Sequence, residues 1–418
     1  MTSGLDWALT NTTLPDRPGR WCIGLANGAI ATLQEGDCLE AEHVWDVGGR
    51  LVVPGFIDAH THLDKALTAD RAGDVFADGS LATAIQTIRT LKQGFTTEDL
   101  IQRATEALHW SLTAGTTVVR TNVEADPFLE LRAIEALQQV QQHMRDRIEL
   151  QLIAFPQEGW FKTENSLELG VAPYIEQALQ KGVEVIGGNI NQGLWPSSPE
   201  AQVDELLSLA QQYDCDIDVH LDNWDGPEAF TLPYLAQKTI EAGWQGRVNV
   251  GHIASLAHVS DTDADAAIAL VKQAGISVTV LPTRMKLTRV VALLEAGVNV
   301  VCATDNLRDP FVRHGKADPL AALLLLAQIT GFTGDRQLNQ LWHTITTHPA
   351  RMMRRANYGL EPGCQADLVV LDATTIPEAI LYQANRLAVF KQGKLQHTRV
   401  DELRRAIAYA SALCPVSQ

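Results

Sequence analysis

Two histidines separated by one residue, His60 and His62, close the apolar run LVVPGFIDAHTHLDK between Leu51 and Lys65. A run of this kind reads as a buried strand of a parallel sheet. Side chains two apart on a strand share a face, so both imidazoles point the same way where the strand gives out into a loop. That geometry suits a divalent metal taking two nitrogen ligands from one short segment. With 12 His in 418 residues an H-x-H arises readily by chance, so its weight depends on what the other segments supply.

Between Val53 and about Arg355 apolar strands alternate with amphipathic helices, the signature of βαβ units and a parallel sheet. The strand candidates are LVVPGFIDAHTH, TTVVRTNVE, ELQLIAFPQ, VEVIGGNI, CDIDVHLDN, RVNVGHI, ISVTVLP and VNVVCATDN, with helical stretches such as Thr97 to Ala114 and Pro199 to Tyr213 between them. Eight strands of this type predict a (β/α)8 barrel, whose active site is built at the C-terminal strand ends. The ionisable and amide residues fall there: His60 and His62 on the first strand, Gln157 after the third, His220 on the fifth, His252 on the sixth and Asp305 on the eighth.

Three imidazoles (His60, His62, His220) and the Asp305 carboxylate make a set that Zn2+ or Fe2+ accepts, with an open position for water. A metal lowers the pKa of bound water to about 7, giving a hydroxide that can attack an electron-poor carbon. Asp305 could take the water proton and His252 could orient the hydroxide. The fourth strand ends GGNINQG, with no Lys or Glu to bridge a second ion, which favours one metal. The remaining histidines read as structural, except that His314, in the loop after strand eight, could reach substrate.

The elements outside the barrel are short strand-like pieces. Residues 1–53 contain WCIGLA, AIATLQ and HVWDVGG, and residues 356–418 contain ADLVVLD and RLAVFKQGKLQHT before a terminal helix. The two ends are expected to pair into one small β-sandwich domain, with the barrel, residues 54–355, inserted between them. The class is therefore α/β, a distorted TIM barrel carrying a β-sandwich.

Composition bounds the partners. Hydrophobic content of 46% and charged content of 20% fall in the globular range, and no apolar run is long enough to span a bilayer. A formal net charge of −17 argues against nucleic acid, whose phosphates must be neutralised by Lys and Arg. The first twenty residues carry no basic segment followed by an apolar core, so secretion is not expected. Six scattered cysteines without C-x-x-C spacing read as reduced thiols of a cytoplasmic protein. A small molecule is the expected partner, and self-association is open.

The segments PGFIDAHTHLD, DVHLDN, GHI and ATDN, in that order and at those separations, resemble the amidohydrolase superfamily of metal-dependent barrel hydrolases. HTHLDK, AFPQEG, IDVHLD and DNLRDPF look like the branch that holds bacterial cytosine deaminase and N-isopropylammelide isopropylaminohydrolase, and the similarity runs from about Asp6 to Gln396. The resemblance implies metal ligation by His60, His62, His220 and Asp305, with His252 as the catalytic histidine. It matches Gln157 to the glutamine with which cytosine deaminase grips the amide edge of its pyrimidine, a pairing that an amide's donor and acceptor allow. It also puts Asn223, Asn306 and Phe311 against substrate.

The implied reaction is hydrolytic removal of an amino or alkylamino group from a cytosine-like or triazine-like ring. Opening of a cyclic amide, and metal binding without catalysis, are the alternatives. One departure matters. Cytosine deaminase follows its fifth-strand histidine with Cys-Asp-Glu, the glutamate carrying protons, whereas this chain reads His220-Leu221-Asp222-Asn223; Asn306 likewise replaces a second aspartate. Asparagine exchanges no proton at useful pH, so a contribution of about 10²–10⁴ must come from elsewhere. The candidates are Asp222, His252 or Lys65, whose ammonium beside a dication would have a lowered pKa; a structural salt bridge of Lys65 with Asp64 or Asp305 is the alternative. If Asn223 occupies the shuttle position, Asn223→Glu raises turnover of cytosine; steady-state assays finding an unchanged or lower rate would count against that correspondence.

Overall fold

The computed structural model describes residues 4–36, 40–73, 81–162, 168–222, 230–282 and 287–401; Asn223 and the expected terminal helix, within 402–418, lie outside the described residues. Sixteen strands among the described residues form two sheets. In chain order they are β1 (Trp7–Leu14), β2 (Arg17–Ala26), β3 (Ala29–Glu35), β4 (His43–Asp46), β5 (Leu51–Pro54), β6 (Phe56–Thr61), β7 (Thr116–Glu124), β8 (Glu149–Phe155), β9 (Val185–Ile190), β10 (Asp216–Leu221), β11 (Val248–His252), β12 (Ser277–Val280), β13 (Val300–Cys302), β14 (Leu368–Leu371), β15 (Arg386–Lys391) and β16 (Lys394–Thr398).

Strands β6 to β13 run parallel in strict sequence order, the (β/α)8 barrel expected from the alternating text. Every residue of these eight strands is buried except the first and third of β8, because helices cover the outer face and side chains fill the inner one. The gap between β13 and β6 is bridged beyond the end of β13, where the Asp305 amide donates to the His60 carbonyl at 3.0 Å. Helices α1 (Leu81–Lys92) and α2 (Thr97–Thr113) lie between β6 and β7. Thr96 caps α2 by accepting from the Asp99 amide, and Glu98 and Asp99 in the first turn complement the helix dipole.

The other sheet takes its strands from both chain ends in the order β16-β15-β14-β5-β1-β2-β3, with β4 on β1. Its halves are joined by the pairing of Thr13 with Leu51 and by a bridge between Ala29 and Gln365, and share one core that includes Leu9, Ile23, Val52, Leu368, Val370 and Phe390. That is the sandwich-like module anticipated from the termini.

One stretch departs from the sequence reading. LVVPGFIDAHTH is not one strand but two, β5 in the end sheet and β6 in the barrel. The break is at Pro54-Gly55: the Gly55 amide donates to the Asp367 carbonyl, and a Cβ on Gly55 would sit 2.3 Å from the Thr117 side chain. Only glycine lets the chain pass so close to β7 while changing sheets. Among the described residues no helix is long and apolar enough to cross a membrane.

Candidate metal centre and substrate cavity

Strand alternation aims Asp58 and His60 of β6, and Asp218 and His220 of β10, into the barrel. Beneath the histidines this interior is polar. Thr304 donates to Asp58 through its hydroxyl (2.6 Å), Arg120 donates to Gln151 (2.7 Å) and Asp218 (3.1 Å), and Asn249 donates to Asp218 (3.0 Å) while accepting from Thr279 (3.0 Å). These bonds satisfy buried polar groups and fix the strands whose next inward residues are the histidines.

At the strand ends His60 Nε2 lies 3.1 Å from His220 Nε2, which lies 3.2 Å from His62 Nε2. Asp305 Oδ1 is 3.7 Å from His60 Nε2 and 3.4 Å from His62 Nε2. Donors placed 2.0–2.2 Å from a tetrahedral ion stand about 3.3–3.6 Å from one another, and these four separations lie close to that range. Burial, with Lys65 pushing the same way, brings His62 down to about 3, and burial holds His220 well below its ordinary value. Both are therefore neutral, the form that ligates. Nitrogens this close share either a proton or a cation, and the donor set fits one divalent ion.

His252 reaches this group by a different route. The inward positions of β11 are Asn249 and Gly251, and a Cβ on Gly251 would lie 3.2 Å from His60. Simple alternation would thus turn His252 away. Left-handed backbone at His252 (φ 72°) and Ile253 (φ 39°) redirects it, and its ring centre lies 4.8 Å from that of His220 and 5.7 Å from that of His60. Asp305 (φ 65°) is turned inward similarly. Such conformations cost about 1–3 kcal/mol each and gather at working sites.

A narrow cavity opens beside these histidines, lined by Lys65, Leu81, Phe155, Gln157, Asn189, Asn306 and Phe311. Among the described residues nothing engages the Gln157 side-chain amide; its backbone carbonyl accepts from Asn189 at 3.4 Å. Asn306 donates to Asp309 (2.7 Å), and Asp309 also accepts from the Phe311 amide (2.9 Å), which holds the loop that presents both residues. His314 is exposed in a second cavity, behind this loop. Two contributors were not foreseen. Phe155 lays its ring 4.5 Å from that of His220, and Asn189, next to last on β9, lines the cavity.

Lys65 takes the ion-paired alternative, with a main partner, Glu124, that the sequence did not offer. Its ammonium is 2.5 Å from Glu124 and 3.8 Å from Asp64, not paired with Asp305. Burial opposes its charge, but Asp64 and Glu124 outweigh burial and raise its pKa rather than lowering it. Glu124, at the end of β7, also meets Lys92 of α1, whose ammonium is 2.5 Å from each of Glu124, Asp126 and Glu158. Arg89 adds a second cation to Glu158. This buried lattice anchors Lys65, and nothing in the motifs announced it.

Asp222 likewise differs from its expected place. Its Oδ2 accepts from the Thr231 amide (2.8 Å) and the Ser255 hydroxyl (2.9 Å), burial lifts it to about 6, and it does not line the cavity. The left-handed turn at Asp222 (φ 45°) ties this carboxyl into the loop.

Known proteins share this arrangement of strands. The model of the amidohydrolase family matches residues 68–397. N-isopropylammelide isopropyl amidohydrolase of Pseudomonas sp. (strain ADP) is 32% identical over 400 residues, covering 94% of this chain and 98% of its own length. The crystal structure of 5-methylcytosine deaminase from Klebsiella pneumoniae liganded with 5-fluorocytosine superposes with a TM-score of 0.86 at 29% identity, covering 94% of this chain and 98% of that one. N-isopropylammelide isopropylaminohydrolase from Burkholderia multivorans gives a TM-score of 0.83 at 26% identity, over 93% and 97%. With a family model matched over most of its length and a relative this similar end to end, the chain belongs to the amidohydrolase family, in the branch of heterocycle deaminases and aminohydrolases, and is a hydrolase of carbon–nitrogen bonds.

Proposed function

We propose that the protein is a metal-dependent aminohydrolase that replaces an amino or alkylamino group on a cytosine-like or triazine-like ring by the oxygen of water. The observation that carries this reading is the convergence of three Nε2 atoms and one carboxylate oxygen beside a cavity that presents an unengaged amide, Gln157. His60, His62, His220 and Asp305 would hold one divalent ion, Zn2+ or Fe2+. Bound there, such an ion would act as a Lewis acid and make water nucleophilic near neutral pH.

The chain's own residues divide the remaining work. Gln157 pairs with an N–C=O edge of the ring, donating and accepting at once. Phe155 and Phe311 supply apolar faces for a flat heterocycle. Lys65, fixed as an ammonium by Glu124 and Asp64, serves as a charged hydrogen-bond donor to a ring oxygen and not as the proton carrier. His252 and Asp305 are then the groups that take a proton from water and return it to the leaving amine. Asn306 positions the loop through Asp309.

The test is amine or ammonia release on a panel of aminopyrimidines, aminopteridines and alkylaminotriazines, with metal content measured on the same samples. Turnover of at least one such ring supports the reading. Turnover of dihydropyrimidines or hydantoins alone, or full metal occupancy with no turnover of any, would overturn it. Gln157→Ala is expected to raise KM about tenfold or more, the loss of one or two good hydrogen bonds, with metal content unchanged. An unaltered KM would remove Gln157 from the substrate contacts.

A further inference from the structure

A third and roomier cavity, about 410 Å3, lies where α2, the loop 306–318 and the end of the terminal sheet meet. Its wall carries four cations, Arg308, Lys316, Arg386 and Arg399, against one carboxylate, Asp318. In a chain with a net charge of −17 this is a marked local excess of positive charge. Arg386 is accounted for: it is buried, ion-paired with Asp318 and donates to the Ala114 (2.8 Å) and Ala384 (3.1 Å) carbonyls.

Among the described residues the other three are not neutralised. Among the described residues no carboxylate meets Arg308, Lys316 or Arg399. The Arg308 guanidinium is laid on the Trp110 ring, 4.7 Å from its centre, and donates through Nε to the Gly315 carbonyl (3.2 Å); among the described residues its terminal nitrogens make no hydrogen bond. Arg399 spends one nitrogen on Asn385 (2.6 Å). Three cations held round one concavity repel each other and concentrate anions, and guanidinium forks match tetrahedral oxyanions.

We propose that this cavity is a binding site for a phosphate-class oxyanion, free or as a phosphate monoester, distinct from the catalytic centre. Its position couples it to that centre. The Leu307 carbonyl accepts from the Leu67 amide (2.9 Å) and the Arg308 carbonyl from the Ala69 amide (2.8 Å), so the loop that bears Arg308 and Lys316 is bonded to the segment after Lys65 and also carries Asn306 and Phe311. An occupied site therefore steadies the loop that lines the substrate cavity.

Calorimetric titration with inorganic phosphate, before and after metal chelation and against chloride at matched ionic strength, tests this. A single saturable event that survives chelation is expected, weakened about tenfold or more in Lys316→Gln and in Arg399→Gln, both exposed positions where folding is undisturbed. Hydrogen exchange of the 306–318 peptide should slow with phosphate in the wild type and not in the variants. A nucleoside 5′-monophosphate binding more tightly than phosphate would identify a monoester as the source, and equal affinity would identify the free ion. No saturable binding, equal binding in the variants, or the same response to chloride would overturn the proposal.

Discussion

Replacing His220 by alanine is expected to remove both the divalent ion and the activity, with turnover down about 10³-fold or more, because the Lewis acid contributes several kcal/mol and each 1.36 kcal/mol is a factor of ten. His220 is the choice among the ligands because its Nε2 is 3.1–3.2 Å from those of both His60 and His62, so its loss opens the centre of the group. The cavity left by the ring lies against Phe155, and the strand is held from both sides by β9 and β11, so the barrel should persist. Metal analysis and circular dichroism on the same preparation separate the effects. Full metal content in a folded, inactive His220→Ala protein would exclude the residue from the ligand set.

Lys92→Met is expected to be as damaging to stability as His220→Ala is to turnover. One ammonium, fully buried, sits 2.5 Å from three carboxylates drawn from β7, the loop after it, and the loop after β8. Methionine keeps the volume but leaves Asp126 with no ion pair among the described residues, Glu124 with Lys65 alone and Glu158 with Arg89 alone, a buried excess of negative charge that costs about 3–5 kcal/mol. The melting temperature should fall by several degrees, and Lys65 should lose its fixed position as Glu124 moves. Partial recovery in the Lys92→Met, Glu158→Gln double variant would show that uncompensated charge is the cause. The pH dependence has a definite sign. Although burial opposes its ionisation, Lys65 and Lys92 hold Glu124 well below the usual carboxylate range, so its contribution is complete above about 4.5 and is lost as pH falls below that value. A melting temperature within about two degrees of wild type at pH 7 would mean that the lattice contributes little.

How much of this the bare sequence carries follows from where each interaction runs. Barrel, end sheet and ligand candidates are legible because each depends on a local pattern: strand ends, period-two faces and the turn residues around them. The Pro54-Gly55 break is local too, but its meaning lies in contacts with Asp367 and Thr117, far along the chain, so one run was read where two strands form. Lys65 illustrates the same limit. Its neighbours in sequence offer a dication site or Asp64 as partners, whereas Glu124, 59 positions away, sets its charge. Asp222 has the right chemistry for a proton carrier and the right address, yet a left-handed turn gives it to Thr231 and Ser255. His252 shows the converse, since alternation alone would have excluded a residue that backbone strain returns to the site.

The most direct measurement is elemental analysis of the freshly purified protein in parallel with assay on the heterocycle panel. One zinc or iron per chain is predicted, removed by a chelator together with amine release and restored with it on adding the ion back. Undiminished turnover from protein with no divalent ion above background would contradict the reading of His60, His62, His220 and Asp305 as a metal centre.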